Sequence, residues 1–155
     1  MKPVFQTIVD KGNGNCMQAV IASLFNLELY MVPNFIEFRN DTFTKLNDFL
    51  DDIGFKFYYM RTEEYDVDLI KEVTYFDRGI NGYFFGVIKS RTYQDATHAV
   101  VIDKDLNIIH DPNPNQKALK LHPKDVIGLY LTDSHSLRKM GDIGTKQRCR
   151  NNKIK

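Results

Sequence analysis

The sequence predicts an α+β domain in which an N-terminal helix packs on a small antiparallel β-sheet. Three observations support this prediction: the chain has 155 residues, 43% of them are hydrophobic, and helical spacing of apolar residues near the N-terminus gives way to short β-branched and aromatic runs. A chain of this size can bury a core without disulfide bonds. We expect the domain to cover residues 1–136 and a flexible tail to cover residues 137–155.

The first predicted helix follows a turn of sequence GNGN at residues 12–15. Apolar side chains recur at helical spacing over residues 16–30, and Asn15 is a good N-cap candidate that would put Cys16 in the first turn. Two more helices are predicted, one over residues 42–53 with Phe43, Leu46, Phe49, Leu50 and Ile53 on its apolar face, and a short one over residues 65–73.

The predicted strands cover residues 55–60, 82–90, 99–102, 106–109 and 122–131. The third and fourth are typical of an antiparallel hairpin. If its loop is Lys104-Asp105, then His98 lies opposite Asp111, on the same face of the sheet and close enough for a hydrogen bond. A loop of four residues keeps this parity, whereas a loop of three would set His110 opposite His98.

Cys16, His98 and Asp111 form a candidate catalytic group. A thiol near a helix N-terminus is favoured as the thiolate, and an imidazole can complete an ion pair with it. A carboxylate on the far side of the imidazole fixes its tautomer and orientation. The backbone N–H of Cys16 and the side-chain amide of Gln6 are candidate donors to an oxyanion. We expect the two glycines of the GNGN turn to take positive φ angles and to let a substrate approach the backbone closely.

The order of these residues resembles that of papain-like cysteine peptidases, in particular the compact bacterial branch that includes the bacteriocin leader peptidases. The segments GNGNCMQAVIASLFNLELYMVPNF (12–35) and HAVVIDKDLNIIHDPNP (98–114) are similar to those of small papain-fold proteins from phages and bacteria. The resemblance covers residues 3–131 and implies a papain-like fold.

The resemblance also implies a role for each candidate residue. Cys16 would be the nucleophile, His98 the general base and acid, Asp111 the residue that orients His98, and Gln6 the oxyanion donor. The implied function is a cysteine-dependent hydrolase or acyl transferase that acts on a peptide, isopeptide or other amide bond through a thioester, with a peptide or protein substrate and no cofactor. Gln6 lies ten residues before Cys16, so its assignment requires the GNGN turn to fold back.

Two other classes of function stay open at this point. A catalytically silent papain-like module would bind a protein or nucleic-acid partner, as a phage protein acting on a host factor would, through its cleft, its tail or the segment EEYDVDLIKEVTYF (63–76). Alternatively, Cys16 and His98 would bind zinc together with Asp111 or His110. No ligand pair with the spacing CxxC or HxxxH supports zinc, and we expect no metal.

The tail differs in charge from the rest of the chain. Residues 137–155 carry seven Lys or Arg residues and one Asp, which leaves 14 basic and 19 acidic residues in 1–136. A basic tail can contact nucleic acid or another polyanion, and a solvated terminus is the alternative.

Two features predict the location of the protein. Its two cysteines, Cys16 and Cys149, suit a reducing compartment, and the sequence has neither a signal-peptide pattern nor an apolar run of membrane-spanning length. We therefore expect a cytoplasmic protein without membrane contact, in the host cytoplasm if a phage encodes it.

Overall fold

The computed structural model describes residues 1–115 and 123–133. Within these ranges the chain forms three α-helices and five β-strands. The helices are α1 (Cys16–Phe25), α2 (Thr42–Asp52) and α3 (Val67–Asp77). The strands are β1 (Tyr58–Arg61), β2 (Tyr83–Lys89), β3 (Thr97–Asp103), β4 (Ile108–His110) and β5 (Val126–Leu131). The predicted tail and Cys149 lie outside the described residues.

The five strands form one antiparallel sheet in the order β1-β5-β2-β3-β4. Because side chains alternate along a strand, neighbouring residues belong to different cores. Phe85 and Val101 pack with α1 and α2 on one face, whereas Phe84 and Val100 pack with α3 on the other. The predicted α+β class is therefore confirmed, with N-terminal helices packed against a five-stranded antiparallel sheet.

Helix α1 begins at Cys16, as predicted, but ends five residues earlier than predicted. Asn26 takes a left-handed conformation and its N–H turns back to the carbonyls of Ala22 and Ser23, which ends the helix at Phe25. Every residue from Gln18 to Leu24 is buried, and α1 packs mainly on β3 and β2. The start of the helix is therefore fixed against the middle of the sheet.

The other elements lie near their predicted positions, with shifted ends. Strand β1 begins three residues later than predicted, and α3 extends to Asp77. Strand β5 begins at Val126 because a short 3-10 turn, Pro123–Asp125, precedes it. His122 lies outside the described residues.

Strands β3 and β4 form the predicted hairpin, but the predicted loop is wrong. The N–H of Asp103 donates to the carbonyl of Asn107, so three residues rather than two lie between them. Leu106, the last of the three, takes a positive φ of 65°. On its own, a three-residue loop would put the side chains of His98 and Asp111 on opposite faces of the sheet.

A β-bulge in β4 reverses this change of parity. The pairs on either side of it are Ile102 with Ile108 and Val101 with His110. Ile109 is therefore an extra residue in β4, and the alternation of side chains shifts by one position. Asp111, which follows His110, consequently reaches the same face as His98.

Candidate active site

The GNGN turn folds the N-terminal segment back onto the start of α1. Asn15 is 2% exposed, and its side chain does not cap the helix, although Asn15 occupies the N-cap position. Its Oδ1 instead accepts hydrogen bonds from the N–H groups of Thr7 (3.0 Å) and Ile8 (2.9 Å). Its Nδ2 donates to Oγ1 of Thr7 and to Oε1 of Gln18. Asn15 therefore joins the segment before the turn to the helix after it.

The two glycines of the turn have different roles. Gly12 takes a φ of 81°, as expected, but Gly14 does not have a positive φ. A Cβ on Gly14 would lie 3.0 Å from the carbonyl oxygen of Asp10 and 3.3 Å from that of Ile8. Gly14 therefore allows the turn to pack on its own backbone.

Gln6 is buried beside the start of α1. Its backbone N–H donates to the carbonyl of Pro112 (2.9 Å), directly after Asp111, and its Nε2 donates to the carbonyl of Ile8 (2.9 Å). Among the described residues, Nε2 makes only this hydrogen bond, and Oε1 of Gln6 is buried without a partner. The folded-back turn thus puts Gln6 close to the thiol of Cys16, with which it lines one cavity.

His98 connects the thiol to the carboxylate. Its Nε2 lies 2.7 Å from Oδ1 of Asp111, and the ring and the Cys16 thiol, which line the same cavities, shift each other's pKa. Since Asp111 takes Nε2, the ring nitrogen left for the thiol is Nδ1. The side chains of His98 and Asp111 are 13% and 19% exposed, so water screens their contact only partly.

Backbone N–H groups act on both Asp111 and Cys16. The N–H of Asn113 donates to the same Asp111 oxygen (2.9 Å), so Asp111 both opens the turn before Asn113 and binds the imidazole. The backbone N–H groups of Ala99 and Met17 help to lower the pKa of the Cys16 thiol. Met17 belongs to the first turn of α1, where backbone N–H groups have no partner within the helix.

The pKa values of Cys16 and His98 shift in opposite directions. Burial raises the pKa of the Cys16 thiol, but the hydrogen bond and charge of His98, together with the N–H groups of Ala99 and Met17, lower it below its ordinary value. Burial lowers the pKa of His98, but hydrogen bonds and charges of Asp111 and Cys16 raise it to about 9. Both shifts favour a thiolate beside an imidazolium.

The thiol lies where two cavities meet. The larger, of about 600 Å³, is called the apolar cavity, and the smaller, of about 340 Å³, the polar cavity. Both are lined by Ile36, Cys16, Thr97 and His98. When a substrate bond is held at the thiol, the groups on its two sides can therefore lie in different cavities.

Sequence reasoning missed the residues that form the apolar cavity. Its aromatic lining consists of Phe43, Phe57, Tyr59, Phe85 and Tyr130. The sequence predicts Phe43 on the apolar face of the second helix, yet Phe43 is 57% exposed and lines the cavity. Helical spacing does not separate a core position from a cavity wall, because both take apolar side chains.

The second histidine of the hairpin does not join the site. Nε2 of His110 lies 2.8 Å from the carbonyl of Val4, and its ring meets Phe5 edge to face at 5.0 Å. His110 thus packs against the N-terminal segment. Within residues 1–115 and 123–133, no group of three or more His, Cys, Asp or Glu side chains is arranged to hold a metal ion.

Comparison of the chain with protein-family models, with curated proteins and with solved structures found no match in any of the three.

In the described part of the chain, no single helix is long and apolar enough to cross a membrane; only the pair Cys16–Phe25 and Leu29–Asp52, bent by 100°, has the required length and composition.

Proposed function

We propose that this chain is a papain-like cysteine hydrolase or acyl transferase, which acts on a peptide, isopeptide or other amide bond of a peptide or protein through a thioester. The observation that carries this proposal is the ring of His98, which is hydrogen-bonded to Asp111 and lines both cavities together with the Cys16 thiol, whose pKa it lowers. A cysteine and a histidine buried only for packing would not need this polarised contact beside two open cavities.

The first half of the reaction forms the thioester. The thiolate of Cys16 attacks the carbonyl carbon, the new C–S bond forms, and the carbonyl electrons move to the oxygen. Gln6 would donate the second hydrogen of Nε2 to that oxyanion, since its first is bound to the carbonyl of Ile8. As the tetrahedral intermediate collapses, His98 gives its proton to the departing amine and the C–N bond breaks.

The second half regenerates the thiolate. His98, now neutral, takes a proton from water or from an acceptor amine, whose oxygen or nitrogen attacks the thioester carbon. The C–S bond breaks, and the product is a carboxylic acid with water or a new amide with an amine. Asp111 holds the imidazole in one orientation through both halves because it binds Nε2 throughout.

The papain-like fold is part of the proposal. Three features support it: Cys16 is the first residue of a buried helix, His98 lies at the start of an antiparallel strand, and Gln6 precedes the thiol on a segment that folds back. Cys16 is a free cysteine, so a reducing compartment such as the cytoplasm suits the proposed reaction.

The thioester can be trapped with an activated ester. Protein carrying Cys149→Ser is mixed with p-nitrophenyl acetate at neutral pH, quenched in acid and analysed by peptide mass spectrometry. We expect one acetyl group on the peptide that contains Cys16, and none after Cys16→Ala. His98→Ala should slow acetylation at least about tenfold, since the imidazole no longer stabilises the thiolate. Acetylation as fast in His98→Ala as in the parent protein would contradict the mechanism and favour a binding module.

A further inference from the structure

The two cavities that meet at Cys16 differ in chemistry. Both the apolar and the polar cavity are of a size that holds a ligand group. The proposed function leaves open which chemical groups flank the reacting peptide, isopeptide or amide bond. The lining residues indicate these groups, because each cavity favours the groups whose burial costs least free energy.

Apart from the thiolate–imidazolium pair of Cys16 and His98, the described lining of the apolar cavity contains no charged side chain. None of its described lining residues is Asp, Glu, Lys or Arg, and five are aromatic. Phe43 and Tyr59 are 57% and 46% exposed, so they form an open rim that a bound group would cover. A charged group in this cavity would lose its water without gaining a partner. A large uncharged group would instead bury its surface against aromatic rings.

The polar cavity contains two carboxylates, those of Asp10 and Asp95, and none of its described lining residues is Lys or Arg. Gln6, whose side chain ends in a polar amide, also lines it. Carboxylates only accept hydrogen bonds, so they favour a group that donates them. Two carboxylates repel an anion and attract a cation.

We infer that the bond cleaved or transferred at Cys16 joins a large uncharged apolar group to a polar group that donates hydrogen bonds or carries positive charge. The apolar group, an aromatic ring or a long aliphatic chain, occupies the apolar cavity. The polar group lies beside Gln6, Asp10 and Asp95. This inference rests on the proposed function, since it assigns the two sides of the same reacting bond.

N-substituted chloroacetamides test this assignment without a known substrate. The thiolate attacks the CH₂ carbon, the C–S bond forms and chloride leaves, so the second-order rate of Cys16 alkylation measures how well the substituent binds. Five substituents are compared in protein carrying Cys149→Ser: methyl as reference, hexyl, benzyl, 2-aminoethyl and 2-carboxyethyl. Hexyl and benzyl distinguish an aliphatic from an aromatic occupant. Each rate is divided by the rate of the same probe with free cysteine.

We expect hexyl or benzyl to react at least about tenfold faster than methyl, because burial of several carbon atoms favours binding. We expect 2-aminoethyl to react about threefold faster than 2-carboxyethyl, with a difference that salt reduces. Phe43→Asp should remove the preference for hexyl and benzyl by placing a charge on the rim. Tyr30→Asp is the matched control, since Tyr30 is 85% exposed and lines neither cavity. Asp95→Asn should reduce the preference for the amine.

The ratios separate this inference from the proposed function. Equal rates for methyl, hexyl and benzyl would overturn the assignment of the apolar cavity, even if Cys16 reacts rapidly with all three. Equal rates for 2-aminoethyl and 2-carboxyethyl, or a faster carboxylate, would overturn the assignment of the polar cavity. A preference for hexyl or benzyl at rates that His98→Ala leaves unchanged would support the apolar cavity and contradict the proposed catalytic pair.

Discussion

The GNGN turn contains two asparagines, Asn13 and Asn15. Replacement of Asn15 by Ala should destabilise the protein more than replacement of Asn13. Asn15 is 2% exposed, and its side chain makes four hydrogen bonds, two to backbone N–H groups and two to the side chains of Thr7 and Gln18. Alanine makes none of them. The two freed backbone N–H groups lie at the surface segment of Thr7 and Ile8, where water can replace part of the loss.

The expected cost follows from these contacts. A hydrogen bond contributes about 1 kcal/mol net, and a buried polar group left without a partner costs about 1–3 kcal/mol. With partial replacement by water, we expect Asn15→Ala to lower the free energy of unfolding by about 2–4 kcal/mol. That is a large share of the roughly 5–15 kcal/mol that holds a domain folded.

Urea denaturation followed by far-ultraviolet circular dichroism measures this loss, since the chain has no Trp for fluorescence. Asn13→Ala is the matched control in the same turn. Asn13 is exposed, and its side chain makes one hydrogen bond, to the carboxylate of Asp10. We expect the control to change the free energy of unfolding by less than about 0.5 kcal/mol. Equal effects of the two substitutions would refute the structural role assigned to Asn15.

Two further predictions concern individual groups of the site. The pKa of His98 is raised above the ordinary 6.5, so NMR should show that His98 stays protonated through neutral pH and titrates near pH 9. Cys16→Ala and Asp111→Asn should each lower that pKa, because each removes a group that favours the imidazolium. A His98 pKa at its ordinary value in the parent protein would contradict the ion pair. Gln6→Ala should slow acetylation of Cys16 by p-nitrophenyl acetate about a hundredfold and leave its alkylation by iodoacetamide unchanged, since only acyl transfer forms an oxyanion. Equal losses in both reactions would mean that Gln6 acts on the thiol or the fold instead.

The hairpin shows what the sequence predicts about this fold and where it fails. The β-branched runs around residues 103–105 predict two antiparallel strands, and the structure has them. The sequence does not predict the three-residue loop or the bulge at Ile109, because a left-handed Leu106 has no signal of the Asn-Gly or Gly kind. The longer loop and the bulge each shift the alternation of side chains by one residue, so their effects cancel. His98 therefore lies beside Asp111 because of two features that the sequence does not predict.

The sequence also predicts only part of the candidate site. A cysteine after a GNGN turn and a histidine before a β-branched run are local features, so Cys16 and His98 stand out in the sequence. The apolar cavity is assembled from α2, β1, β2 and β5, which are distant in sequence. Its aromatic residues look like core residues until tertiary packing shows which of them face the thiol. The role of Asn15 was also missed, since N-capping is the common use of Asn at a helix start.

The proposed reaction requires Cys16 and His98 to form a thiolate–imidazolium pair, and the pH dependence of Cys16 alkylation by iodoacetamide measures whether they do. Protein carrying Cys149→Ser is compared with the same protein carrying His98→Ala. We expect rapid alkylation that persists well below the ordinary thiol pKa of about 8.5 and is lost in this pH range when His98 is replaced. Slow alkylation that rises only near pH 8.5 and does not respond to His98→Ala would contradict it and would make Cys16 a packing residue.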